Sequence, residues 1–260
     1  MNKKNKIIIV NKVKKTNQSE DNLESILFLP KRDERIGGCE HRAQGCFKKA
    51  YSDSPLISIV TVVFNGESFL EGTIQGVINQ SYDNVEYIVI DGGSTDRTID
   101  IIKKYEDRVD YWVSEPDGGI YDAMNKGIKV SSGVWVNFMN SGDVFADDGA
   151  LERMDLSLYD GYALVYGNTI QDDKISSHAL KIKTLERGEM MACHQSMFFN
   201  QNILKEELKY YAHYKIGGDY ELVNRIYLGY KDLIKYVNIT VAIFQSDGVG
   251  SKVSWQARKE

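Results

Sequence analysis

The chain has 260 residues, 42% hydrophobic and 27% charged, which is enough apolar material for one α/β core and too balanced for wholesale disorder. A net charge of -5 excludes a broad basic surface that would draw in nucleic acid by counterion release, so no nucleic-acid partner is expected. Cys39, Cys46 and Cys193 lack the paired spacings of a zinc site or a disulfide framework, and no stretch reaches the roughly 18 apolar residues of a membrane span. Reduced thiols in a cytoplasmic protein, without export, are the expectation.

Residues 1–54 are irregular in pattern and read as an N-terminal extension, with 55–260 as the catalytic domain. Lys3, Lys4, Lys6, Lys12, Lys14 and Lys15 fall in a stretch without acids, which suits either a solvated tail or peripheral contact with an anionic membrane surface. From residue 57 the β-branched run ISIVTVVF predicts a strand covered on both faces. Leu70, Ile74, Val77 and Ile78 share one face of a helix over 68–79. A strand over 85–90 runs into Asp91, and after Gly92, Gly93 and Ser94 a helix opens near Asp96, which reads as its cap.

A strand over 109–113, a helix over 120–129 and a strand over 134–139 continue the rhythm, which predicts a parallel sheet flanked by helices. Beyond residue 150 the pieces shorten, with strands expected at 163–167, 178–183, 197–199 and 239–244. A helix is expected over 219–228, with Gly229 just past its end. The change of rhythm divides the domain into two parts, 55–145 and 146–260.

Ligands of an open parallel sheet bind beyond the carboxyl ends of its strands. Each predicted strand end carries unusual polar residues: Phe64, Asn65 and Gly66; Asp91 to Ser94; Ser114 to Gly119; and Asn140, Ser141, Gly142 and Asp143. Glycines let backbone amides approach a ligand closely, whereas Asp91, Asp117 and Asp143 would repel a bare diphosphate. A divalent cation, Mn2+ or Mg2+, resolves that conflict, with Asp143 as the first-choice ligand. No dinucleotide fingerprint, P-loop or H-E-x-x-H motif is present, which weakens dehydrogenase, NTPase and metalloprotease readings.

The segments PLISIVTVVFNGESFL, VEYIVIDGGSTDRT, SEPDGGIYDAMNKGI and WVNFMNSGD, in that order, resemble the GT-A fold, family 2 inverting glycosyltransferases, in the branch that builds bacterial O-antigen, capsule and exopolysaccharide. The likeness covers roughly residues 55–251 and implies a Rossmann-like, mostly parallel sheet. It implies that Thr61, Phe64, Asn65, Asp91, Gly93 and Ser94 hold the base and ribose of a nucleotide-diphosphate sugar, usually of uridine. It implies further that Asp117, Asp122 and Asn125 line the donor pocket, alongside Asn140, Ser141 and Gly142. Asp143 matches the final acid of the D-x-D signature, whose first acid is replaced here by Asn140 or Ser141.

CHQSMFF and KIGGDYELVNRI resemble the acceptor-side blocks of that branch, which implies acceptor-side roles for His194, Gln195 and Tyr220 and makes Asp219 the catalytic base. Residues 248–251 resemble a glycine segment that closes over the site. Read from the residues alone, Asp219 follows two glycines at a helix start, where an acid suits both capping and catalysis. The implied acceptor is a saccharide or a polyprenyl-diphosphate-linked saccharide, and a homo-oligomer is compatible with the sequence. Two other classes stay open: a sugar nucleotidyltransferase, disfavoured because NGESFLEG lacks Lys or Arg, and a non-catalytic sugar-nucleotide binding protein.

Overall fold

The computed structural model describes residues 35–37, 47–171, 174–176, 185 and 190–244. The lysine-rich stretch, Cys39, Cys46, the strand expected at 178–183 and the segment 248–251 lie outside those residues.

Among the described residues ten strands form one sheet: β1 (Ile36–Gly37), β2 (Ile57–Val63), β3 (Val85–Asp91), β4 (Tyr111–Ser114), β5 (Trp135–Phe138), β6 (Val144–Phe145), β7 (Leu164–Gln171), β8 (Lys174–Ser176), β9 (Met197–Asn200) and β10 (Ile234–Phe244). Their order across the sheet is β1-β4-β3-β2-β5-β9-β7-β10-β6, with β8 paired to β7. The block β4-β3-β2-β5 is parallel, as its crossover helices require. Helices α1 (Leu70–Ile78), α2 (Thr98–Lys104), α3 (Ile120–Val130), α4 (Ala150–Met154), α5 (Gln201–Leu204) and α6 (Gly218–Tyr230) cover it.

Side-chain alternation along β2 decides the layering. Val60 and Val62 enter the core that holds Tyr121 and Met124 of α3 and Leu222 and Ile226 of α6. Ile57, Ile59 and Val63 enter the opposite core with Leu70, Ile74, Ile102 and Leu151 from α1, α2 and α4. Every residue of β2 is buried, so each of these side chains contributes roughly 1.5–3 kcal/mol of apolar transfer free energy.

The structure adds the short strands β1, β6 and β8 to the sequence reading, fixes the direction of β9, which the residues left open, and departs from the expected helix end at Gly229. Strand β9 runs antiparallel to both β5 and β7, so the two halves of the domain share one mixed sheet. Gly229 lies inside α6, which runs to Tyr230 because the exposed face there tolerates a residue without a side chain and the chain turns only at Lys231.

The described part of the extension is stitched to the sheet. β1 pairs antiparallel with β4, Arg35 meets Glu115 at 2.6 Å, and Lys48 Nζ meets Asp110 at 2.7 Å.

Candidate active site

The carboxyl ends of β2 to β5 open on one side, and their loops are latched to each other. Asn65, in the left-handed region at φ 51°, turns its side-chain carbonyl onto the amide of Thr95 at 2.9 Å, a conformation asparagine tolerates well. Ser94 Oγ accepts from Asn65 N at 2.7 Å, and Asp96 accepts from the amides of Glu67 and Thr98; the N-cap position of α2 is Arg97, so Asp96 stands one residue ahead of the cap expected of it. Phe64 projects beyond the strand end with 65% of its surface exposed, a free aromatic face at the mouth of the cleft.

Asp91 is fully buried. One oxygen accepts from the amides of Gly93 and Ser94 and from Ser114 Oγ, while the other accepts from Ser94 Oγ. Its immediate role is to hold the β3 loop in shape. Asp117 lies over this turn and accepts from Gly119 N at 2.8 Å; burial pushes its carboxyl above the ordinary range, and the charges of Asp122 and Asp91 add to the rise. Asp122 accepts from Gly118 N and lies 3.7 Å from Lys126. Thr61 is placed differently from its expected donor contact. Its hydroxyl is enclosed beneath the cleft, bonded to the Met139 carbonyl at 2.7 Å and adjacent to the Tyr87 hydroxyl at 3.1 Å.

The 140–143 turn closes with Asp143 N bonding Asn140 O at 2.9 Å. Gly142 takes φ 101°, open to glycine at little cost, and its amide bonds Thr73 Oγ1, which also donates to the Asp143 carbonyl. Asp143 is 7% exposed and accepts from Gln195 Nε2 at 2.8 Å. Burial pushes its carboxyl upward; His194 and Gln195 pull it down, and the charge of Asp219 raises it again.

Gln195 follows His194 in a single 3-10 turn, His194–Ser196, and the two side chains part company. His194 Nδ1 lies 3.3 Å from Asp219 Oδ2 and its Nε2 lies 3.0 Å from Asn140 Nδ2. Burial disfavours the imidazolium, but the charge of Asp219, its hydrogen bond and the charge of Asp143 outweigh this and raise the histidine above its ordinary value. The neutral ring with its proton on Nδ1 accepts from Asn140; in the imidazolium, a turned amide would offer the unpartnered Asn140 Oδ1 instead. Asn137, in the middle of buried β5, anchors this turn by donating to the carbonyls of Gln195 and Met197, each at 2.9 Å.

Asp219 sits in the first turn of α6, after Gly217 at φ 80°. The amide of Gly218 donates to Tyr121 Oη at 3.0 Å, which satisfies one of the free N–H groups of the helix start. Thus Asp143 and Asp219 open onto one place, joined through residues 194 and 195. Tyr220 points elsewhere, donating to the Leu185 carbonyl at 3.0 Å. Asn125 spends both ends of its amide on the backbone of Tyr210, at 2.8 Å each, instead of lining a donor pocket. Thr73, Tyr121 and Asn137 are missing from the sequence-based site; only Asn137, a polar residue inside the apolar run WVNF, carries a local signal.

Among the described residues no group of three or more His, Cys, Asp or Glu side chains forms a metal cage. Asn140 Oδ1 and Ser141 Oγ are enclosed oxygens without a hydrogen-bond partner in the turn that ends at Asp143. That donor set fits a hard cation taking one protein carboxylate and completing its shell with phosphate oxygens and water.

Solved structures of the same architecture are GT-A glycosyltransferases. The S. aureus TarS 1-349 structure in complex with UDP superposes with a TM-score of 0.63 at 16% identity, covering 73% of this chain and 60% of TarS 1-349. The mannosyltransferase PcManGT from Pyrobaculum calidifontis, in complex with GDP-Man and Mn2+, gives 0.61 at 16% identity over 84% of this chain and 65% of that one. These likenesses define the class: a GT-A glycosyltransferase fold with its acids gathered at the strand ends.

Residues 58–225 match the profile of Glycosyl transferase family 2, and the chain belongs to that family. An uncharacterised glycosyltransferase of Mycobacterium tuberculosis (strain ATCC 25618 / H37Rv) is 29% identical over 208 residues, 77% of this chain and 79% of the relative. A PGL/p-HBAD biosynthesis glycosyltransferase of Mycobacterium bovis (strain BCG / Pasteur 1173P2) is 24% identical over 204 residues, 75% of this chain and 78% of the relative.

Proposed function

We propose that this glycosyltransferase moves a hexose or N-acetylhexosamine from a UDP-sugar to a hydroxyl of a saccharide or polyprenyl-diphosphate-linked saccharide, with inversion, in bacterial surface polysaccharide synthesis. The observation that carries the reading is the convergence of Asp143 and Asp219 on the His194–Gln195 pair. TarS bound to UDP and to UDP-GlcNAc supports a nucleotide-sugar donor, and the PGL/p-HBAD relative supports a role in building a cell-surface glycoconjugate.

In this reading Phe64 offers a stacking face to the base, Asp117 meets base and ribose above the 92–94 turn that Asp91 holds in shape, and the 140–143 turn meets the diphosphate. Asp143 would hold Mn2+ or Mg2+, assisted by Asn140 and Ser141, and the cation supplies neutralisation of the leaving diphosphate. Asp219 takes the proton from the acceptor hydroxyl as its oxygen bonds to the anomeric carbon. The bond from that carbon to the diphosphate breaks in the same displacement, which inverts its configuration. His194 holds the carboxylate of Asp219 in place.

The site of action would be the cytoplasmic face of a membrane. Supporting this, the N-terminal lysines offer charge for peripheral contact with an anionic surface.

Mass-detected transfer with a panel of UDP-sugars and saccharide acceptors tests the reading. Asp143→Ala and Asp219→Ala should each abolish transfer and leave the fold intact by circular dichroism. Wild-type turnover in either variant would remove that residue's role.

A further inference from the structure

Two enclosed oxygens at the proposed base lack a partner at normal hydrogen-bond geometry: Asp219 Oδ1 and the Tyr210 hydroxyl. The Asp219 side chain as a whole is 27% exposed, so the carboxylate turns one oxygen inward and keeps its other edge nearer the cleft. An inward carboxylate oxygen without a donor is costly, and a tyrosine hydroxyl is a donor suited to it.

The Tyr210 hydroxyl faces this carboxylate. Burial pushes its titration well above the usual range, and the approach of the charged Asp219 carboxylate adds to that. Contacts of this kind are often long without substrate and tighten in the reacting complex.

Helix α3 delivers both partners from one face. Asn125 clamps the backbone of Tyr210 through its N–H and its carbonyl, each at 2.8 Å. One turn earlier, Tyr121 stacks on the Tyr210 ring at 5.2 Å and 15°, and its hydroxyl receives the amide of Gly218. A side chain at 218 would put its Cβ 2.7 Å from the Tyr121 ring, so the glycine permits this approach. Phe138 meets Tyr210 edge-on at 5.5 Å. Tyr121 and Asn125 thus fix the residue on each side of the contact.

We infer that Tyr210 is a positioning residue for the proposed base: its buried hydroxyl donates to Asp219 Oδ1 and fixes the carboxylate plane, with Tyr121 and Asn125 holding the pair in register. The inference rests on Asp219 being the base. It gives the Y-D-A-M-N segment, residues 121–125, a task on the acceptor side of the reaction, aligning the group that takes the proton.

Two measurements on the full chain test it. With tyrosine labelled at 13Cζ, Tyr210→Phe assigns the resonance, and Asp219→Asn should then shift it; an unmoved Tyr210 signal overturns the contact. With UDP-glucose or UDP-N-acetylglucosamine as donor and p-nitrophenyl glycosides as acceptors, Tyr210→Phe keeps the stacked ring and should lower kcat about ten-fold with donor KM unchanged, the rate equivalent of one lost hydrogen bond. Asn125→Asp should behave likewise. A raised donor KM with intact kcat in Asn125→Asp, or wild-type kcat in Tyr210→Phe, overturns the positioning role. Full turnover in Asp219→Asn would instead remove the base itself, a failure separable from an absent Tyr210 shift.

Discussion

His194 Nδ1 lies 3.3 Å from Asp219 Oδ2, and the next residue along the chain, Gln195, donates to Asp143 at 2.8 Å. One dipeptide therefore spaces the two carboxylates on which transfer is proposed to depend. His194→Gln should lower turnover roughly ten-fold or more through the misplaced base, by steady-state kinetics.

The same histidine gives a sign for stability. Its folded value is raised, so its contribution is complete below the unfolded value of about 6.5 and fades as pH rises through the folded value. Urea midpoints of the wild type should fall over that upper window, and those of His194→Gln should lack this component of the fall.

Asn137→Leu removes two donors to the carbonyls of Gln195 and Met197 inside the sheet. A loss of about 2 kcal/mol or more in unfolding free energy is expected by urea denaturation, since buried acceptors are left short of partners. The turn carrying His194 should loosen with it, so activity should fall further than stability alone requires.

Glu115 joins Lys126 at 2.9 Å and Arg35 at 2.6 Å in a nearly enclosed group. Burial pushes its carboxyl up, but the two cations outweigh burial and hold it below the ordinary value. The stability it adds is present above about pH 4.3, its unfolded value, and is lost as pH falls through the folded one. Thermal unfolding of Glu115→Gln should show a lower midpoint at neutral pH and a flatter decline towards acid.

Chelation offers a fourth check. EDTA should abolish transfer and added Mn2+ should restore it in the wild type; Asp143→Asn should need far more Mn2+ for half-maximal rate, a shift of roughly ten-fold or greater. Equal rates with and without EDTA would remove the cation from the reaction.

The parallel block was legible because β-branched runs alternate with helical faces, and ISIVTVV feeds one core with every second side chain. The loop acids were legible because they interrupt apolar strands. What could not be read were pairings fixed only by tertiary approach. Asn125 looks like a cleft residue until the backbone of Tyr210, 85 positions away, lies against it. Thr61 carries a hydroxyl near a strand end, yet it faces the Met139 carbonyl because alternation turns it inward. The direction of β9 was equally hidden, since MFFN reads the same in either orientation.

That central strand has a consequence for how the chain is made. β5, already paired to β2 on one side, lacks its second neighbour until residues 197–200 leave the ribosome, and one edge of β7 waits for the same segment. A fragment ending near residue 150 would present an open apolar edge ready to pair with other copies, so it should aggregate when expressed alone. The nascent protein would be protected at this edge only once residues 197–200 have slotted between β5 and β7.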